Sequence, residues 1–231
     1  MKARVAPGGG RRLVIAIDGP SGAGKSTAGR ALARRLGYLF LDTGAMYRAL
    51  GLKALRAGVP LDAEAALAEL ARTTRIELAG SGDVVSLDGE DVSGAIRTRE
   101  VSAAASRVSV HPSVRRVMVA HQQEMGRAGG VVLDGRDVGT VVFPHADVKF
   151  YVDADPRRRA ERRHAELAAA GTASDVDAIE REIRARDHAD STRSDSPLTR
   201  APGAVYLDTT GLAPEEVVQR MAAIVEERLR A

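Results

Sequence analysis

Short apolar runs alternate with longer amphipathic segments along this chain, and their lengths predict strands and helices. Five runs rich in branched side chains are typical of buried strands, at residues 13–17, 38–41, 131–133, 148–152 and 204–207. Segments with helical spacing separate or follow them, at residues 25–36, 45–55, 112–125, 156–169, 176–190 and 214–229. This alternation predicts an α/β fold, a five-stranded parallel sheet with helices on both faces.

Acidic residues mark the ends of four predicted strands, namely Asp18, Asp42, Asp134 and Asp208. In open parallel sheets, ligands bind beyond the carboxyl ends of the strands. The pattern therefore indicates a ligand site along this edge.

Two segments depart from the alternating pattern. Two short stretches, residues 75–78 and 84–87, flank Gly80-Ser81-Gly82, which predicts a small hairpin outside the main sheet. Residues 155–196 are dense in charge and poor in large apolar side chains, which is typical of a mobile helical lid. We expect a flexible tail (1–12) and one domain (13–231), divided into a core (13–42, 112–154, 197–231), an insertion (43–111) and a lid (155–196).

Composition excludes several functional classes. The 231 residues contain no cysteine, which excludes disulfides and thiolate metal sites, and the five histidines lack metal-ligand spacing. Without a long apolar run or a signal sequence, we expect a cytoplasmic protein that does not bind membranes. The net charge is +3, but acids are interspersed with bases and aromatic residues are only 3%, so no nucleic-acid partner is expected.

The strongest motif follows the first predicted strand. It matches G-x-x-x-x-G-K-[ST] between a strand and a helix, the context in which such a loop binds nucleotide triphosphates. Glycine lets backbone N–H groups converge on phosphate oxygens at a positive helix N-terminus. The predicted ATP-binding residues are Gly19, Pro20, Ser21, Gly22, Ala23, Gly24, Lys25, Ser26 and Thr27.

A magnesium ion is expected to accompany the nucleotide. Lys25 should reach the β and γ phosphates, and Ser26 should coordinate Mg²⁺. Asp134 is a candidate second ligand, directly or through water, although an aspartate that begins a turn remains an alternative.

Arginines dominate the polar segments that follow the strands. Only four of the 34 basic residues are lysines, and the planar guanidinium suits bidentate phosphate binding. Arg48 follows the second strand in LDTGAMYR, and we interpret it as a phosphate ligand. Arg136 and Asp137 follow the third strand in DGRDVGT, where either a bound ligand or a structural salt bridge would satisfy their charges.

The predicted lid presents a face that changes from apolar to charged. Val176, Ile179 and Ile183 begin it, and Arg186, Asp190 and Arg193 continue it, provided that the helix extends that far. On the preceding helix, Arg159, Arg162 and Arg163 share a face. We expect both sets to point into the cleft, with a solvated face paired to glutamates as the alternative.

The acceptor class stays open at this point. The chain lacks asparagine, so it has neither the guanine motif of switch GTPases nor the metal-binding asparagine of protein kinases. An acceptor that is already a phosphate monoester needs no general base, because its oxygen is anionic near neutral pH. Asp42 would instead serve as base for a small-molecule hydroxyl, and a non-catalytic nucleotide-binding module is the third reading.

Several strings resemble bacterial cytidylate kinases over nearly the whole chain: VIAIDGPSGAGKST, LDTGAMYR, DGEDVSGAIRTREV, DGRDVGTVVFPHADVKFYVDA and RARDHADSTR. The resemblance implies a P-loop nucleoside monophosphate kinase fold, in which residues 43–111 form the monophosphate-binding insertion and residues 155–196 the lid. It also implies a monomer that uses ATP, Mg²⁺ and CMP or dCMP. Two departures are minor: Thr43 stands where serine is frequent, and Ser26 where some members have glycine.

The resemblance also implies residue roles. Arg48, Arg136 and Arg193 resemble ligands of the acceptor phosphate, Arg186 and Asp190 the ribose contacts, and Ser106, Arg115 and Asp137 the cytosine readers. We add Thr43 and Tyr47 to the CMP site, Arg162 to the ATP site, and assign catalysis to Lys25, Arg136, Arg159, Arg163 and Arg193. A carboxylate such as Asp137 accepts a hydrogen bond from the cytosine N4 amino group but would repel the uracil carbonyl.

Overall fold

The computed structural model describes residues 12–79, 82–169 and 171–230. The predicted tail, apart from Arg12, and the Gly80-Ser81 part of the predicted turn lie outside the described residues.

A twisted layer of parallel strands forms the centre of the described fold. With strands numbered along the chain, it contains β1 (Val14–Asp18), β2 (Leu39–Asp42), β6 (Val131–Gly135), β7 (Val148–Asp153) and β8 (Val205–Asp208). Within the described residues, the order is β2-β6-β1-β7-β8, with every neighbouring pair parallel. The predicted five-stranded parallel sheet is confirmed.

Helices cover both faces of this sheet. One face packs on α1 (Lys25–Leu36) and α8 (Pro214–Arg230), with Leu32 and Met221 buried against the strands. The other face packs on α5 (Pro112–Gly126) and on a short π-helical turn, Val138–Val142. Alternating side chains of β1 supply both cores, since Ile15 and Ile17 face α1 while Ala16 faces the opposite side.

The insertion packs around an apolar cluster that it shares with α5. It contains α2 (Thr43–Arg56), α3 (Glu64–Arg72), α4 (Arg99–Val108) and an antiparallel sheet of β3 (Ile76–Ala79), β4 (Val84–Leu87) and β5 (Glu90–Asp91). Met46, Leu50 and Leu67 are completely buried there. The predicted hairpin corresponds to β3 and β4, whereas α3, α4 and β5 were not predicted.

The charged segment forms two helices, α6 (Pro156–Ala169) and α7 (Val176–Thr192), that pack against each other. No described residue of α7 is fully buried. The helix ends at Thr192, so Arg193 is its C-cap residue and not part of its last turn.

The strand register brings the polar strand ends together. Asp42 of β2 pairs with Asp134 of β6, and Asp18 of β1 pairs with Gly135. This places the segments after β1, β2 and β6 at one edge of the sheet, as the sequence predicted. Within the part of the chain that the structure describes, no helix is long and apolar enough to cross a membrane.

Candidate active site

The glycine-rich loop between β1 and α1 requires the glycines that the motif contains. Gly19 has φ +146°, and a Cβ there would lie 1.9 Å from the carbonyl oxygen of Val152. Gly22 and Gly24 also have positive φ, at +76° and +90°. The loop ends at Lys25, the first residue of α1, so the free N–H groups of that helix face the loop.

Lys25 is buried inside this loop. Its Nζ donates to the carbonyl oxygen of Pro20 at 2.6 Å. Burial, followed by the nearby charge of Arg136, lowers the pKa of Lys25 to about 7. An anionic ligand at the loop would oppose both effects and favour the charged ammonium.

Asp134 and Ser26 lie side by side at the end of β6. The Ser26 hydroxyl donates to Asp134 Oδ2, while Asp134 Oδ1 is buried without a hydrogen-bond partner among the described residues. Burial, with the neighbouring carboxylate of Asp42, raises the pKa of Asp134 to about 7. An orphaned buried carboxylate oxygen beside a hydroxyl is a suitable oxygen donor set for a hard cation.

A cavity of about 180 Å³ opens between this loop, the insertion and the lid. It brings together most of the residues predicted to bind the acceptor, and Lys25 and Ser26 form its floor. Among its lining residues are Thr43, Tyr47, Arg48, Arg115, Arg136, Asp137, Arg186, Asp190 and Arg193. The three arginines predicted to bind the acceptor phosphate therefore lie around one cavity, opposite the phosphate loop.

Carboxylates balance these arginines within the protein. Arg48 pairs with Asp42 at 3.0 Å, and Arg136 Nε donates to Asp190 Oδ2 at 2.8 Å. Arg193 Nε donates to the Ser196 carbonyl, while its Nη2 is buried and has no hydrogen-bond partner in the part of the chain that the structure describes. Arg136 thus forms a salt bridge with Asp190, as one of the two alternatives expected, and it also lines the first cavity.

The far end of the cavity contains a buried cation–carboxylate cluster. Arg115 is 3% exposed; it donates to Asp137 Oδ2 and lies 3.3 Å from Asp195 Oδ2. Its guanidinium carbon is 5.9 Å from the ring centroid of Tyr47. Burial raises the pKa of Tyr47 to about 12, so its hydroxyl remains a hydrogen-bond donor at neutral pH.

Ser106 is the one predicted cytosine reader that the cavity wall does not include. Its hydroxyl donates to the carbonyl oxygen of Ser102, one turn earlier in α4. Ser102 of the same helix and Ser109, its C-cap residue, do line the cavity. Their spacing would have identified them, but only after α4 itself had been predicted.

A second cavity, of about 550 Å³, lies on the other side of the phosphate loop. It shares Gly22, Lys25 and Ser26 with the first cavity, so the two meet at the loop. The remaining wall comes from the loop and α1, from α6 and from the segment after β8: Ala23, Gly24, Thr27, Ala28, Arg159, Arg162, Arg163, Glu166, Thr209, Leu212, Pro214 and Val217. Six of these residues were not predicted as site residues: Ala28, Glu166, Thr209, Leu212, Pro214 and Val217.

The three α6 arginines face this second cavity in different ways. Arg159 is 3% exposed and donates to the carbonyl oxygens of Ala154 (2.8 Å) and Ser21 (2.9 Å) and to Asp187 (2.6 Å). Arg162 donates to the Thr209 carbonyl at 2.5 Å. Arg163 is half exposed and pairs with Glu166, a glutamate that the sequence analysis had not singled out.

Comparison with known proteins places this chain in a family. The family model described as "Cytidylate kinase" matches residues 15–227. The match to a solved shikimate kinase from Bacteroides thetaiotaomicron covers 94% of this chain and 99% of that protein, with a TM-score of 0.49 and 14% identity.

Curated relatives match almost end to end. The cytidylate kinase of Geobacillus sp. (strain WCH70) is 52% identical over 217 residues, covering 93% of this chain and 97% of its own. That of Symbiobacterium thermophilum is 52% identical over 216 residues, covering 92% and 96%. This chain belongs to the cytidylate kinase family.

Proposed function

We propose that this chain transfers the γ-phosphoryl group of ATP to CMP, and also to dCMP, giving ADP and the nucleoside diphosphate. The observation that carries the proposal is that two cavities meet at the phosphate loop, with an arginine-rich wall opposite it. Phosphoryl transfer needs in-line positioning and charge neutralisation more than covalent chemistry by the protein. Two nucleotide sites that share Lys25 provide such an arrangement.

ATP occupies the second cavity in this proposal. The apolar side chains of Leu212, Pro214 and Val217 suit the face of a base, and residues 19–27 hold the phosphates. Lys25 moves from the Pro20 carbonyl to the β and γ phosphates, whose negative charge restores its proton. Arg159, Arg162 and Arg163 approach the transferring group from the lid side.

CMP occupies the first cavity. Arg48, Arg136 and Arg193 exchange their carboxylate and carbonyl partners for the acceptor phosphate. Arg186 and Asp190 contact the ribose, while Ser106, Arg115 and Asp137 read cytosine, with Thr43 and Tyr47 beside them. The acceptor oxygen is already anionic near neutral pH, so no general base is required.

The hydroxyl-kinase alternative is not favoured. It needs Asp42 as the base, yet the Asp42 carboxylate accepts from the amide of Ala45 at 2.7 Å and pairs with Arg48. Both oxygens of the Asp42 carboxylate are therefore already engaged within the protein, Oδ1 by Ala45 and Oδ2 by Arg48. The comparisons also point to a nucleotide acceptor.

We further propose that Mg²⁺ is held at Ser26 and Asp134, partly through water. When bound, it neutralises charge on the β and γ phosphates. Among the described residues, no group of three or more His, Cys, Asp or Glu could hold a metal ion. The phosphates would therefore supply much of the coordination, as is common for Mg²⁺.

The assembly and its motions complete the proposal. Residues 155–196 act as a mobile lid on a core (13–42, 112–154, 197–231), and residues 43–111 bind the monophosphate. The protein acts as a cytoplasmic monomer without a nucleic-acid or membrane partner. The family resemblance and the interspersed charges support this reading.

The test is coupled ADP release with CMP, dCMP, UMP, AMP and GMP as acceptors. We expect the highest kcat/KM with CMP or dCMP, and Lys25→Met should lower kcat by at least about a hundredfold while leaving the melting temperature similar. Faster turnover of AMP or GMP would contradict the proposed acceptor. ADP release only with a non-nucleotide alcohol would favour the hydroxyl kinase instead.

A further inference from the structure

Asp18 lies between the two halves of the site without facing either cavity. It is the last residue of β1, directly before Gly19 of the phosphate loop, and it is 2% exposed. In the parallel register it stands beside Gly135 of β6. It is not among the residues that line the two cavities.

Both oxygens of Asp18 bind the loop that follows β6. Oδ1 accepts from the amide of Val138 and Oδ2 from the amide of Gly139, each at 2.7 Å. Hydrogen bonds to an ionised carboxylate are among the stronger ones in proteins. The fit leaves little room, because a Cβ on Gly139 would lie 3.2 Å from Asp18 Oδ2.

A second side chain holds the other end of the same loop. The Thr43 hydroxyl donates to the carbonyl oxygen of Asp134 at 2.8 Å. Between the two anchors lie Gly135, Arg136 and Asp137, and the side chains of the last two reach the first cavity. The positions of these two side chains therefore depend on backbone anchors at both ends of a three-residue span.

We propose, on the basis of the function proposed above, that Asp18 is a positioning residue for the acceptor nucleotide. Its carboxylate clamps the amides of Val138 and Gly139 and thereby aims Arg136 at the acceptor phosphate and Asp137 at the base. Because Asp18 is bonded directly to Gly19, the same clamp fixes the acceptor loop relative to the donor phosphate loop. Asp18 acts through this loop and touches neither nucleotide.

The primary variant is Asp18→Asn, which keeps the shape but replaces one acceptor oxygen by an NH₂ group that faces an amide N–H. We expect kcat/KM for CMP to fall about tenfold to hundredfold, because a charged acceptor is lost and one buried donor is left unpaired. The KM for ATP should stay within about twofold, since the donor loop keeps its own contacts. The preference for CMP over UMP should narrow as Asp137 moves.

A matched control exists at the opposite end of β1. Asp147 Oδ2 accepts from the amide of Val14 at 2.8 Å, so Asp147→Asn makes the same chemical change to a carboxylate–amide contact of the same strand. This position lies far from the phosphate loop along β1, and Asp147 lines neither cavity. For Asp147→Asn we expect kcat/KM for CMP, the KM for ATP and the preference for CMP over UMP to remain close to those of the wild type.

A second variant covers the case in which Asp18→Asn does not fold. Gly139→Ala would press a methyl group against Asp18 Oδ2 and against Cβ of Ala201, also at 3.2 Å. It perturbs the clamp from the loop side and leaves the carboxylate itself intact. We expect the same selective loss of CMP turnover and discrimination, with a smaller amplitude.

The outcomes separate the two proposals. Suppose that the wild type phosphorylates CMP. The role of Asp18 is then overturned if Asp18→Asn and Gly139→Ala impair kcat/KM for CMP and the KM for ATP equally, or if they behave like Asp147→Asn. The proposed function would remain standing in both cases. A wild-type enzyme that does not phosphorylate CMP would overturn the proposed function, and the acceptor role of Asp18 with it. A selective loss for CMP with a narrowed CMP over UMP ratio supports both.

Discussion

At the scale of single residues, the carboxylate of Asp137 lies between two arginines, Arg115 and Arg193. Its Oδ2 accepts from buried Arg115, while its Oδ1 lies 3.8 Å from Nη2 of Arg193, beyond hydrogen-bond distance. Oδ2 is thus paired with Arg115, and Asp137 lines the first cavity, where we propose that Oδ1 accepts from the cytosine amino group. The buried ion pair with Arg115 would hold Asp137 in the orientation that the proposed recognition of the base requires.

We predict that Asp137→Asn narrows the preference for CMP over UMP by about tenfold to hundredfold, because its amide can donate to the uracil carbonyl and no longer repels it. The measurement is kcat/KM for both nucleotides. Asp195→Asn is the matched control, since Asp195 is the other carboxylate on Arg115. An equal narrowing in both variants would mean that Arg115, and not Asp137, sets the preference.

Asp18 should also affect the pH dependence of stability. Burial raises the pKa of Asp18 from 3.8 to about 6, although the amides of Gly139 and Val138 oppose this. The folded state therefore binds the Asp18 proton more tightly than the unfolded state. The contribution of Asp18 to the free energy of unfolding is greatest below pH 3.8 and is lost as the pH rises through 6. The full loss corresponds to about 3 kcal/mol.

Urea unfolding of wild type and Asp18→Asn between pH 4 and pH 7 measures this effect. We predict that the free energy of unfolding of the wild type declines relative to the variant across that interval, and that the difference becomes constant above about pH 7. A difference that is independent of pH throughout would contradict the raised pKa of Asp18.

At the scale of elements, the sequence predicted the main sheet well and the insertion poorly, for a physical reason. Strands of the central sheet are buried on both faces and appear as continuous branched runs. Helix α4 instead packs closely on α2 through small residues, and a Cβ on Gly51 would lie 3.0 Å from the backbone nitrogen of Ala105. An alanine-rich contact of this kind buries backbone with little large apolar signal in the sequence.

In the candidate site, likewise, local sequence patterns predicted some positions, whereas contacts between distant segments could not be predicted. Residues 19–27 and Arg48 could be predicted because a local motif or a strand end positions them. The partners of the lid could not, since Asp187 meets Arg159 and Asp195 meets Arg115 only after distant segments have folded together. The roles assigned to all of these residues in nucleotide binding and catalysis, including Arg163 in catalysis and Ser106 at the base, remain predictions.

Arg159 joins three elements, and this predicts a catalytic effect of the lid. Its guanidinium connects α6 to the Ser21 carbonyl of the phosphate loop and to Asp187 of α7. We predict that Arg159→Lys lowers kcat about tenfold to hundredfold, because an ammonium cannot span all these acceptors at once. Steady-state kinetics should show little change in the KM for CMP.

The control for this prediction lies one residue earlier. Arg158 is more than half exposed and pairs with Glu161 of the same helix. Arg158→Lys should leave kcat within about twofold, since exposed pairs of this kind contribute little. Similar losses in both variants would assign the effect to the helix and not to the bridge.

At the scale of the whole molecule, the first cavity, the proposed CMP site, concentrates positive charge. Its wall contains six basic residues (Lys25, Arg48, Arg115, Arg136, Arg186 and Arg193) and four aspartates (Asp42, Asp134, Asp137 and Asp190). Burial, followed by the neighbouring charge of Arg115, lowers the pKa of Arg193. The fold therefore tolerates unfavourable repulsion in this cavity, and an anionic ligand would relieve it.

This excess charge predicts that CMP stabilises the protein mainly through its phosphate. At a concentration about a hundred times its Kd, CMP should add about 2.7 kcal/mol to the free energy of unfolding, which corresponds to a rise in Tm of about 5–10 °C for a chain of this size. Cytidine at the same concentration should give a much smaller rise, because it carries the base without the phosphate. Raising the salt concentration should reduce the difference between the two ligands by screening the arginines. Equal shifts with CMP and cytidine in a thermal melt would show that the base dominates binding, and the arginine wall would then need another explanation.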